Sequence, residues 1–221
     1  MILSKRLIFI KFKNMFSLSP EFLYWIMVAV PGILIASTVH EYAHGYTAYQ
    51  LGDATAKAEG RLTLNPLKHI DPIGALSMLL FRFGWSKPVP INEYNFKKRE
   101  LYTALTALAG PVSNFILAAL AGIINHFLVK DPQSLIAFLL YTFATINVSL
   151  AIFNLIPIPP LDGHKIVRGF LPGKLKYYWE GLEKYSLILI LLLILPFSPL
   201  QDIVFSFIGN TLTTILNSLG F

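Results

Sequence analysis

Between Phe22 and Val39 the chain carries no charged side chain, and the same holds from Leu101 to Leu128 and from Leu135 to Pro160. A helix of about 20 apolar residues crosses a hydrocarbon core of about 30 Å. Only 14% of the 221 residues are charged and the mean hydropathy is +0.60. Such a composition marks an integral membrane protein. The length suits one compact membrane-embedded domain over residues 1–221, with no room for a second. There is no cysteine, so disulfides, thiolate metal sites and a cysteine nucleophile are excluded. The net charge of +6 comes from lysines and arginines clustered in loops. In an apolar chain these report topology and anionic lipid headgroups, not nucleic acid.

The first span is expected from about Glu21 into the 46–51 region. Polar sequence follows, in which "AKAEGRLTL" (56–64) suggests two short strands turning near Gly60. The run 73–81 is too short to cross alone, and Pro88 and Pro90 permit an edge strand or extended loop. Two clear spans follow, about 101–128 and 134–156, then apolar segments at 186–196 and 203–219. Residues 1–20 mix Lys and Arg with apolar side chains and show no cleavage site, which suggests an interfacial amphipathic segment. The expected fold is an all-α multi-pass membrane bundle with a small β-strand and loop region beside the polar end of the first span. Basic loops at 82–100 and 164–184 place that end on the cytoplasmic side of the cell membrane. By the same argument the basic N-terminus would lie outside, a conflict within the charge pattern.

At the end of the first span stands "STVHEYAHGY" (37–46). His40 and His44 are four apart, so a helix presents both imidazoles on one face. Two ring nitrogens one turn apart can reach a single Zn²⁺ at about 2.0–2.1 Å. Glu41, beside the first of them, is placed to take a proton from water activated by the metal. A lone histidine on an apolar helix is usually a satisfied core residue. Three ionisable residues within five positions of a membrane helix are another matter, because each costs about 2.5–3.5 kcal/mol or more unless paired, metal-bound or wet.

A hydrolytic zinc site needs three protein ligands and one open position. Asp162, in "NLIPIPPLDGHK", is the best candidate for the third, at the end of a span and at the depth of His44. Its prolines and Gly163 hold open non-helical backbone, which membranes tolerate only around a protein-lined cavity. His164 is a rival, but it lies beyond the glycine. His69 and Asp71 suit a turn with satisfied polar groups, and His126 sits at the opposite end of its span.

"HEYAH", "NPLKHIDPIG", "FGWSKPVPIN", "AGPVSN" and "NLIPIPPLDG", in this order over about residues 22–170, resemble the site-2 protease family of intramembrane metalloproteases. The likeness is to small prokaryotic members without PDZ or CBS domains. It implies one Zn²⁺ per chain on His40, His44 and Asp162, with Glu41 as the catalytic carboxylate. It also implies a catalytic role for Asn114 beside the substrate or the developing oxyanion. From the residues alone, Asn114 could equally tie two helices together. The resemblance implies hydrolysis of peptide bonds in or near transmembrane segments of membrane protein or peptide substrates, within the lipid bilayer. A membrane zinc transporter or non-catalytic metal binder would use the same ligands but give Glu41 no task. A di-iron oxygenase would need more than the five histidines present.

Overall fold

Residues 20–81, 84–194 and 199–221 are described by the computed structural model. The interfacial segment expected at 1–20 lies, apart from Pro20, outside them. In chain order the helices are α1 (Val30–Gln50), α2 (Thr55–Ala58), α3 (Pro72–Phe81), α4 (Arg99–Leu128), α5 (Leu135–Leu155), α6 (Asp162–Arg168), α7 (Gly173–Glu180), α8 (Ser186–Ile194) and α9 (Pro199–Ser218).

Proline 31 shapes the entry to α1. It has no N–H for the carbonyl four residues back, and its ring crowds that carbonyl. The chain responds with a wider π-helical turn over Trp25–Ala29, in which the Val30 N–H bonds to the Trp25 carbonyl. The turn joins α1 in line to Pro20–Tyr24. The continuous helix Phe22–Gln50 is one of three among the described residues long and apolar enough to cross a membrane; the others are α4 and α5. Ile116, Ile123, Phe127 and Leu135 are exposed on them. In a bilayer such a surface meets acyl chains at no cost.

Helix α4 is central, packing against α1, α5 and α6, while α9 packs against α5. Ala118 and Ala121 of α4 meet Ala144, Val148 and Ile152 of α5, with Leu216 of α9 alongside. The alanines let the backbones approach closely, a main source of helix affinity in lipid. At ten residues, α3 is about 15 Å long, half a bilayer, as its sequence suggested. It starts at Asp71, whose carboxylate accepts from the Gly74 N–H at 2.8 Å, an N-cap. Of the run expected at 186–196, the described residues 186–194 are helical, and the one at 203–219 is helical through Ser218 in α9.

The all-α bundle is as expected, but the two strands expected within 56–64 do not form. No strand occurs among the described residues; Ile70 and Ser86 make an isolated antiparallel bridge. The buried Asp53 carboxylate explains the difference. It accepts from the Thr55 N–H and hydroxyl, turning the chain into α2, and from the Asn92 N–H and the Asn95 side chain at 2.7 Å each. Alanine-rich sequence then continues as helix at little cost. The alternation read as strand loses to this turn. In "KPVPIN" the Lys87 N–H goes to the His69 carbonyl, the Val89 N–H to Glu41 and the Asn92 N–H to Asp53, while both prolines have none.

Candidate active site

Helical spacing brings His40 and His44 together as the sequence required, with ring centroids 4.6 Å apart. Asp162 arrives from far along the chain. Helix α5 ends at Leu155, and the "IPIPP" turn reverses the backbone so that α6 begins at Asp162. Gly163 permits this reversal, since any Cβ there would collide with the Leu155 and Ile156 carbonyls. Helix α6 is anchored at its other end by Arg168 on Glu93.

The result is a triangle of donor atoms. The two Nε2 atoms are 3.0 Å apart, and each is 3.1 Å from Asp162 Oδ2. All three residues are buried. The other ring nitrogens decide what the triangle contains. His44 Nδ1 is 2.7 Å from the Thr106 carbonyl and His40 Nδ1 is 2.6 Å from Asn114 Oδ1. Both oxygens can only accept, so both Nδ1 atoms carry the proton, and in the neutral rings both Nε2 atoms are bare. Three lone pairs thus converge, and they repel one another unless a cation lies among them.

A tetrahedral ion with bonds of about 2.0–2.1 Å separates its ligand atoms by about 3.3 Å, close to the edges seen. Two imidazoles and one carboxylate also match the ligand set of open, catalytic zinc sites. The donor set fits zinc. His40, His44 and Asp162 form the one such group among the described residues. A bound metal would hold the Asp162 carboxyl ionised against the cost of its burial.

Space for an ion exists because position 110 is glycine. A Cβ there would fall on the Nε2 and Cε1 edge of His44 and on Cε1 of His40. Glu41 stands outside the triangle. Its Oε1 accepts from the Ser86 hydroxyl at 2.9 Å and its Oε2 from the Val89 N–H at 2.8 Å. The segment donating them is held in turn by Arg61, whose Nη2 donates to the Lys87 and Pro88 carbonyls.

The comparisons now bear on this geometry. The family model of peptidase family M50 matches residues 119–195. YwhC of Bacillus subtilis is 39% identical over 188 residues, 78% of this chain and 84% of that one. Rip2 of Mycolicibacterium smegmatis is 31% identical over 183 residues, 77% and 68% of the two chains. MJ0392 of Methanocaldococcus jannaschii is 29% identical over 155 residues, 70% of this chain and 37% of that one. All three carry the words zinc metalloprotease in their names. No solved structure matches. This chain belongs to peptidase family M50.

As an M50 peptidase it is a zinc metalloprotease of the site-2 type and, with three apolar helices of spanning length, a membrane protein. Within it His164 is no rival ligand: it is buried, stacked on Trp179 at an interplanar angle of 8°, with Nε2 donating to the Trp179 carbonyl. His69 donates to the Thr63 carbonyl, and His126 is exposed. Asn114 lies behind His40, fully buried, and its amide hydrogens go to the Ala36 carbonyl and Asn147 Oδ1.

Sequence reading missed Ser86, Gly110, Arg61 and Asn147. Ser86 and Gly110 sit inside quoted family stretches, a signal that marks the stretch but not the side chain's task. Nothing local distinguishes Arg61 or Asn147.

Proposed function

We propose that this M50 peptidase cleaves peptide bonds in or near transmembrane segments of membrane proteins, using one Zn²⁺ held by His40, His44 and Asp162 and Glu41 as general base and acid. The reading is supported above all by the three mutually facing donor atoms lying next to an independently held carboxylate. A zinc ion bound there supplies a Lewis acid that activates water near neutral pH and polarises a carbonyl. Glu41 takes the proton of the attacking water and returns it to the leaving amine. Its bonds from Ser86 and Val89 keep it aimed. Asp162 and the imidazoles, their outer nitrogens tied to protein oxygens, hold their lone pairs toward a common point.

A transmembrane helix hides its carbonyls in its own hydrogen bonds, so the substrate unwinds before attack. Basic loops at 82–100 and 164–184 support a site toward the cytoplasmic face. The test is incubation of purified protein with single-pass membrane peptides, with and without a chelator, beside Glu41→Gln. Chelator-sensitive cleavage by wild type is expected, with zinc retained and turnover lost in Glu41→Gln. Zinc flux into proteoliposomes surviving Glu41→Gln, without cleavage, would replace the protease reading by transport.

A further inference from the structure

Helix α5 crosses the membrane region carrying Asn147 at a fully buried position, an expensive residue to place there without a task. Its Nδ2 donates to the Phe143 carbonyl one turn back at 2.9 Å. That bond turns Oδ1 toward α4, where it accepts from Asn114 Nδ2 at 2.9 Å. The same Nδ2 donates to the Ala36 carbonyl of α1 at 3.1 Å. Backbone carbonyls only accept, so Phe143 fixes which way Asn147 faces, and Ala36 with Asn147 fixes Asn114. Asn114 therefore presents its oxygen to His40 Nδ1 at 2.6 Å. A ring that donates from Nδ1 has its free lone pair at Nε2, on the side of Asp162 and His44.

We propose that Asn147 and Asn114 form a positioning relay that fixes the tautomer and orientation of His40, with Asn147 acting through Asn114. The relay runs from α5 through α4 to α1, so the packing of three spanning helices is written into the protonation of one nitrogen. Helix-to-helix adhesion alone would need the two amides to bond each other; it would not need the chain to end on His40. The relay rests on the zinc reading of His40, and its test separates the two.

Metal-free protein labelled with ¹⁵N-histidine reports the tautomer by NMR, and a chromophoric chelator reports zinc affinity. Wild type is expected to carry the His40 proton on Nδ1. Asn114→Leu should leave a tautomer mixture and weaken zinc binding by about 10–100-fold, the usual cost of losing an outer partner of a metal-bound histidine. Asn147→Leu should weaken it less, about threefold to tenfold, since Ala36 still holds one amide hydrogen. Wild-type His40 protonated on Nε2 would overturn the relay, whether or not the variants fold. So would folded variants with unchanged tautomer and zinc affinity. Wild type that binds no zinc but shows the Nδ1 proton would fail the metal reading and leave the relay standing.

Discussion

The backbone N–H of Val89 lies 2.8 Å from the Oε2 of Glu41, and the Ser86 hydroxyl 2.9 Å from its Oε1. A carboxylate on a membrane helix is thus gripped by an extended segment that belongs to no helix. Pro88 and Pro90 keep this segment from coiling, and Arg61 holds two of its carbonyls. The proposed general base is aimed by a loop, while the proposed metal ligands are aimed by helices.

Removing one of these grips separates proton transfer from metal binding. A hydrogen bond to a charged group is worth about 1.5–3 kcal/mol. Ser86→Ala is expected to lower kcat on a membrane peptide about tenfold, with KM and zinc content unchanged. Steady-state kinetics beside elemental analysis checks it, and an unchanged kcat would strip Ser86 of this role.

Position 110 tests the space for the ion. Gly110→Ala adds a single methyl group, directly against both imidazoles. Helix content should hold or rise, because alanine favours helix over glycine by about 1 kcal/mol. Zinc content should fall well below one per chain and cleavage should be lost. Full zinc loading in Gly110→Ala would show that the rings have room to yield.

Asp162 is the one anionic donor of the triangle. Asp162→Asn keeps the volume while exchanging a charged ligand for a weak neutral one. Zinc affinity is expected to drop by about two orders of magnitude or more, about 3 kcal/mol, and turnover with it. Competition with a chelator of known affinity measures this. In Glu41→Gln the same measurement should match wild type.

The loop that reaches the site depends on Asp53. Burial pushes its carboxyl up, but bonds from the Thr55 side chain, Asn95, and the Asn92 and Thr55 N–H groups outweigh that and hold it below the ordinary value. The folded state then binds a proton less readily than the unfolded one. The stability this contributes is present above about pH 3.9 and is lost as pH falls through the lower folded-state value. Hydrogen-exchange protection of residues 51–60 and 92–96 should therefore be high at neutral pH and decline in acid below about pH 4. Asp53→Asn should show weak protection at neutral pH and little further acid loss.

The sequence conveyed what depends on neighbours along the chain. Three charge-free runs become helices of spanning length because lipid leaves the backbone no other partner. His40 and His44 share a face because a helix turns once in 3.6 residues. Strand formation at 56–64 was misread because the deciding interaction is not local. Asp53 draws on Asn92 and Asn95, some 40 residues on. The surroundings of Asn114 were illegible for a related reason: a buried amide acts through whichever groups surround it, and those lie on α1 and α5.

By itself, then, the sequence determined the membrane class, the helical spans and the pair of imidazoles, all set by periodicity and transfer free energy over short stretches. The folded chain decided which carboxylate completes the triangle, which loop holds Glu41, and which nitrogen of His40 keeps its proton. Those choices turn on contacts between individual atoms of groups as far as 122 residues apart. Only the packing of α1, α4, α5 and α6 against one another brings such groups within reach.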